Sequence, residues 1–213
     1  MSTDAISAPA VSRTGTTAAH RALLAGVGFA ALFIGGVLLS SLLGTGIYPS
    51  PFDSEAAAAS YFAANRGTVL TQGIAHVLAA VPLALFAGAV GNRRARAAGW
   101  AAAAALASSG LLNVAIGAMG ATGDTLHTLH HLTFLAGGQI HVPLLGLLVA
   151  TGTRAHAATA PRWTTALGVA AAGLAVLSLV SFATEAAMLL LPLGRFTAIL
   201  WIVITAVRTR LGK

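Results

Sequence analysis

The chain has 213 residues, 57% of them hydrophobic and only 8% charged, with a mean hydropathy of +0.85 and a formal net charge of +7. Soluble domains carry about 25% charged residues, so this composition excludes an ordinary water-soluble globule and indicates a polytopic membrane protein forming one domain. There is no cysteine, which excludes disulfides, thiolate metal sites and cysteine nucleophiles, and any metal site must be built from His, Asp and Glu.

Residues 1–20 are rich in Ser, Thr and Ala with no apolar period, and they are expected to form a disordered cytoplasmic tail. The membrane domain then runs over residues 21–213. Its first span, 22–43, is longer than the roughly 7–15 apolar residues of a secretory signal and lacks an A-x-A-like site. Five more spans follow at 68–90, 97–120, 126–150, 164–191 and 196–207, close to the roughly 17–25 residues a bilayer demands. The last is short, and Arg195 and Arg208 are expected to extend it by snorkelling to the two surfaces.

Between the first two spans lies "YPSPFDSEAAAASYFAANRG". Pro49 and Pro51 break the chain there, and Asp53 or Ser54 is placed to cap a short helix reaching Asn65. Tyr61 and Phe62 suit the headgroup level, which predicts an amphipathic helix on the outer surface. It serves either as the roof of a pocket or as a solvated connector. The two halves of the chain show no repeat, so the inverted-repeat pattern of transporters is not supported.

Charge fixes the expected orientation. With the N-terminus in the cytoplasm, ten of the 12 basic residues fall inside: Arg13, Arg21, Arg93, Arg94, Arg96, Arg154, Arg162, Arg208, Arg210 and Lys213. Only Arg66 and Arg195 fall outside, as the positive-inside rule asks. Basic charge is therefore a topology signal aided by anionic lipid, and nucleic acid is not an expected partner. Scarce Lys beside abundant Arg, Ala and Gly points to a GC-rich bacterial genome, hence a bacterial plasma membrane.

The fourth span opens on "DTLHTLHHLTFLAGGQIHVP", residues 124–143, which holds four histidines. Asp124 is placed as its N-cap. His127, His130 and His141 fall near one helical stripe, but His141 lies about 16 Å of helix rise below His130, so no single ion joins them. His127 and His131, one turn apart, have the spacing of a chelating pair. "HTLHH" matches the H-x-x-H-H box of membrane desaturases. Those enzymes need many more ligands than the seven histidines present, and His20 and His156 are on the wrong side. At a helix N-terminus the dipole disfavours imidazolium, so His127, His130 and His131 are expected to stay neutral, as interfacial residues, ligands or bases. His141 sits near mid-bilayer, where its partner would be a hydroxyl or carbonyl of a neighbouring helix, and Gly137 and Gly138 would let another backbone approach.

Other spans carry polar faces: Thr68, Gln72 and His76; Ser109, Asn113 and Gly117; Ser178, Ser181 and Glu185. Intramembrane polar groups usually turn inward. They act either as interhelical hydrogen bonds worth about 0.6–2 kcal/mol each or as the lining of a pocket. The small-residue faces at Gly35–Gly36, Gly117–Gly120 and Ala171–Gly173 are packing surfaces. Glu185 needs a partner at its depth, and Arg195 is the expected one.

The segments "LHHLTFLAGGQIHVPLLGLLVA", "PRWTTALGVAAAGLAVLSLVS" and "LPLGRFTAILWIVITAV", taken in order, resemble a family of six-helix bacterial membrane proteins grouped as a domain of unknown function and common in high-GC bacteria. The resemblance rests on His130–His131, Gly137–Gly138, Pro161-Arg162-Trp163, the run from Leu191 to Phe196, and Trp201, and it covers residues 54–210. The chain departs from it at Gln139 and Ile140, where proline or another apolar residue is commoner. It implies a six-helix plasma-membrane protein and carries no catalytic residue with it.

The expected fold is thus an all-α bundle of six transmembrane helices with both termini cytoplasmic. The leading expected function is a binding protein with an outward-opening polar pocket lined by His76, Asn113, His127, His130, His131, His141 and Glu185. Its ligand would be a small hydrophobic or amphipathic molecule, or a metal ion on His127 and His131; the residues select no cofactor. Two alternatives stand beside it. One is a membrane enzyme, either a metal or haem oxidoreductase or a His/Glu185 acid–base catalyst on a lipid-like substrate. The other is an accessory or assembly subunit whose polar faces serve packing alone.

Overall fold

The structure, a computed structural model, describes residues 13–90 and 92–212. Its elements, in chain order, are α1 (Arg13–Leu43), α2 (Glu55–Ala64), α3 (Arg66–Ala89), α4 (Arg93–Met119), α5 (Gly123–Phe134), a π-helical segment (Leu135–Ile140), α6 (His141–His156), α7 (Arg162–Leu177), two 3₁₀ turns (Ser178–Phe182 and Glu185–Leu189) and α8 (Leu190–Leu211). Among the described residues six helical stretches are long and apolar enough to cross a membrane, the longest being the continuous Gly123–His156 of 34 residues. The all-α, six-span architecture of a multi-pass membrane protein therefore agrees with the reading from composition.

Local chemistry sets most boundaries. The Ser54 side chain accepts from Ala57 N at 3.2 Å and starts α2, one of the two caps expected there. Asn92 does the same for α4, accepting from Ala95 N at 2.7 Å. Gly120, at φ 62°, takes the left-handed conformation that ends α4. Arg66 crosses to the same helix end and donates to Gly117 O and Ala118 O, both at 3.2 Å, satisfying carbonyls the helix leaves open.

Four boundaries differ from expectation. Of the expected tail, residues 1–12 lie outside the described residues, while α1 begins at Arg13; good helix formers such as Ala and Arg extend it past the apolar run. The fourth span is capped by Thr122 without a side-chain bond, so Asp124 stands in the first turn and not at the cap. The fifth span ends at Phe182 and the sixth starts at Glu185, giving the last one 27 residues. Thr184 is extended at φ −152° and ψ 137°, and this non-helical residue before Glu185 reads as a helix start. Arg195 therefore lies on the order of 15 Å along the last span from its beginning, not at its end, and the sixth span needs no snorkelling.

The helices alternate in direction. A Cβ on Gly26 of α1 would stand 2.7 Å from Ala206 Cβ of α8, so α1 begins and α8 ends at the same end of the bundle. That end carries Arg21, Arg93, Arg94, Arg96, Arg154, Arg162, Arg208 and Arg210; the other, the loop end, carries residues 44–54 and α2. Toward the arginine end the core is apolar: Phe29 and Phe33, Leu83 and Phe86, Leu106, Leu145 and Leu148, and Trp201 with Ile202. Leu24, Leu38, Leu85, Leu111, Val169 and Leu200 point outward and are exposed, as a lipid-facing surface requires. The tightest crossing joins α3 to α4. A Cβ on Gly73 would meet Gly110 O at 2.7 Å, and one on Gly110 would meet Gly73 O at 2.6 Å. The two backbones touch there, as small residues in membrane helices permit.

Candidate functional site

Polar side chains gather toward the loop end, and their register places them around one cavity of about 400 Å³. From α3 come Gln72 and His76, from α4 Ser109 and Asn113, from α5 and the π segment Thr133, Phe134, Gly137 and Gly138, and from the start of the last span Met188, Leu191, Pro192 and Arg195. Ile47, Tyr48 and Ser50 of the 44–54 loop complete it. Residues one turn apart on each helix set the depth, so Gln72 and Asn113 lie nearer the mouth, with His76, Ser109 and Arg195 deeper. The volume falls in the range of ligand pockets, about 300–1,000 Å³.

The roof is tied down by three contacts. Tyr48 OH donates to Asn113 Oδ1 at 2.9 Å. His130 Nε2–H donates to Pro49 O at 3.0 Å, an arrangement that fixes its tautomer. Thr45 N donates to Asn65 Oδ1 at 2.8 Å. Tyr48 also packs edge-on against Phe62 of α2, with ring centroids 5.6 Å apart.

The floor is less satisfied. His76 is 5% exposed and stacks on Phe33 with centroids 5.3 Å apart, yet neither ring nitrogen has a hydrogen-bond partner among the described residues. Arg195 donates from Nη2 to Gly137 O, its guanidinium stands 5.2 Å over the Phe33 ring, and its buried Nε has no partner. The Gly137 carbonyl belongs to the π-helical turn, where the i→i+4 ladder is widened. Thr133 Oγ1 is also buried and unpaired.

In comparisons with known proteins, no family model, no curated protein and no solved structure matches this chain. The site is therefore read from its own chemistry.

Of the seven expected pocket residues, the cavity brings together two, His76 and Asn113. His141 lies outside it, fully buried, with Nδ1–H donating to Ala102 O on α4 at 2.9 Å; this is the neighbouring carbonyl expected for it. His127, His130 and His131 lie together at the loop end outside this cavity, His127 exposed and His130 buried beneath the 44–54 loop. His127 and His130 line a separate cleft of about 240 Å³ between α2 and α5. The His127 and His131 rings are 4.2 Å apart, and His127 Nδ1 is 3.8 Å from Glu55 Oε1. Among the described residues no group of three or more His, Asp or Glu is arranged to hold a metal ion.

Glu185 corrects the expectation most sharply. It is exposed, lines no part of the cavity, and forms no ion pair with Arg195. The helix break at Thr184 starts the last span about three turns before Arg195, which carries Arg195 into the bundle and leaves Glu185 at its loop end. The His/Glu185 acid–base pairing loses its acid with it.

Ile47, Tyr48, Ser50, Thr133, Phe134, Met188 and Arg195 are among the cavity residues that sequence reasoning missed. The signal for Arg195 was the pair Thr184-Glu185, a cap-like start that moves the beginning of the last span from 196 to 185. Tyr48 and Thr133 carry no such signal.

The polar set thus divides. Ser109 Oγ donates to Thr133 O at 3.0 Å, Ser178 Oγ to Ala175 O at 2.7 Å, and Gln139 Nε2 to Ser181 O at 3.2 Å. These bonds and that of His141 are packing; Gln72, His76 and Arg195 face the cavity.

The roof gives a pH prediction. Burial, with Tyr61 close by, pushes the Tyr48 phenol above its ordinary value, and burial raises Tyr61 as well. A folded-state value above the unfolded one means that each contributes stability fully present below about pH 10, and loses it as pH rises beyond. The chain has two tyrosines, so a phenolate absorbance titration reads both directly. Neither should ionise near pH 10 while the protein stays folded; ordinary midpoints for both would contradict a closed roof.

Proposed function

We propose that this protein is a bacterial plasma-membrane binding protein, oriented with its arginine-rich end in the cytoplasm and its loop-end cavity opening outward to a small molecule. The observation that carries this reading is the cavity itself. It is large enough for a ligand, mainly apolar at its edge, and lined by a few polar groups whose hydrogen-bonding capacity is left unused at its floor. That combination is the general pattern of small-molecule sites. Unpaired buried polar atoms also occur away from the cavity, at His141, Thr153, Thr164 and Ser181; those of His76, Thr133 and Arg195 are the ones that line an open space. The orientation rests on the positive-inside rule, since the loop end holds Arg66 with Asp53, Glu55, Asp124 and Glu185. The α2 helix, which buries Ala58 and Phe62 and exposes most of its other residues, would lie along the outer surface beside the mouth.

Because the chain has no cysteine, single-cysteine variants report accessibility without background. In intact cells Ser50→Cys and Gln72→Cys should react with a membrane-impermeant maleimide, while Arg94→Cys should react only after permeabilisation. Labelling of Arg94→Cys alone would reverse the orientation. An unreactive Gln72→Cys beside a reactive Ser50→Cys would close the pocket to the outside.

A further inference from the structure

We infer that the cavity takes a single-chain amphiphile with a carboxylate head, and that Arg195 is the residue that selects the charge. The inference rests on the reading of the cavity as a binding site and adds the chemical class of its ligand.

Charge is the first observation. Among the described residues Arg195 is the one ionised side chain lining the cavity, and no Asp or Glu lines it. The described residues contain no ion pair to Arg195; its guanidinium is balanced by one backbone carbonyl, Gly137 O, and by the face of Phe33. Cation–π contact and one neutral acceptor offset part of the cost of removing a guanidinium from water, but a charge held inside a membrane bundle is ordinarily matched by an opposite charge. Arg is also the side chain whose planar donor fork fits a carboxylate.

The neighbours supply the second observation. His76 is nine-tenths buried at the cavity floor with both ring nitrogens unpartnered. A neutral imidazole offers one N–H, which suits the second oxygen of a carboxylate bound to the arginine. One arginine and one neutral donor match a monoanion; a doubly charged phosphate monoester would need more cationic partners.

The rim is the third. Ile47 is 92% exposed, Met188 and Pro192 line the same cavity, and the buried Leu191 lies behind them. An apolar rim leading to a cationic floor places an acyl chain outward and an acid group inward. A sugar, an amino acid or an inorganic anion would leave that rim unused.

The test is scintillation-proximity binding of radiolabelled laurate to the full chain in phospholipid nanodiscs at pH 7. Unlabelled laurate, lauryl alcohol and dodecylamine serve as competitors of matched chain length. Laurate is expected to displace the label at least tenfold better than either of the others. Arg195→Gln should lose that preference by about tenfold, equivalent to ~1.4 kcal/mol, while leaving alcohol binding within twofold. Arg195→Lys, which keeps the charge but not the fork, should fall between, and it guards against a folding defect in Arg195→Gln. Equal competition by laurate and the alcohol would overturn the carboxylate assignment and leave the binding pocket standing. Equal loss of both ligands in Arg195→Gln and Arg195→Lys would make Arg195 a structural residue. Displacement by none of the three chains would overturn the ligand class, and the pocket reading would then be decided by the reactivity of Gln72→Cys from outside.

Discussion

Gly73→Ala is expected to destabilise the bundle by about 2 kcal/mol or more, visible as a fall of ~5 °C in the unfolding midpoint of the purified protein. The methyl group has nowhere to go: it would lie 2.7 Å from Gly110 O and 2.8 Å from Val114 N, and backbone cannot rotate away as a side-chain tip can. Gly110→Ala should do the same, because its Cβ meets Gly73 O at 2.6 Å and Val77 N at 2.9 Å. The effect reaches the site. Gly73 follows Gln72 and Gly110 follows Ser109, so the close approach of α3 and α4 sets the distance between two cavity walls, and widening it should lower ligand affinity together with stability. Gly35→Ala is the control. Nothing lies within 4 Å of its Cβ, and it should be neutral or slightly stabilising by helix propensity. Equal midpoints for Gly73→Ala and Gly35→Ala would contradict the backbone contact.

His141→Ala should cost about 2–3 kcal/mol, the sum of a lost interhelical hydrogen bond and an unfilled space in the core. The ring is fully buried and tied to Ala102 O, so it joins α6 to α4 below the cavity without lining it. His141→Leu restores most of the volume but not the donor and should recover part of the loss. Ligand binding, corrected for the folded fraction, should change little in either variant. An unchanged midpoint with binding abolished would move His141 from the scaffold into the site.

Much of this architecture was legible in the sequence, for a physical reason. A bilayer imposes length and apolarity on every span, and the Ser54 cap, the loop prolines and the arginine distribution are local signals that neighbouring helices do not override. A hydroxyl or carbonyl partner for His141 could be anticipated because a polar group in a bundle core has few other choices, though His141 was also expected to line the pocket. What failed was the boundary between the fifth and sixth spans. A continuous apolar run hides a break when the break is made by two residues, Ala183 and Thr184, that are themselves tolerated in helices. That one error displaced Arg195 from the interior to a surface and paired it with Glu185. The histidines of the fourth span do cluster at its start, but outside the cavity. His127, His130 and His131 are adjacent in sequence, but tertiary packing hands His130 to Pro49 and His127 to Glu55, whereas the cavity is assembled from residues far apart in the chain, such as Tyr48, His76, Asn113 and Arg195.

The central claim is that the loop-end cavity holds a small molecule, and native mass spectrometry on protein released from its own membrane tests it most directly. Wild-type protein should carry one bound species of constant mass at near-stoichiometric occupancy. Gln72→Trp, which places an indole in the cavity, should lose that species while keeping its unfolding midpoint. A bare wild-type protein, or the same adduct in Gln72→Trp, would contradict the account.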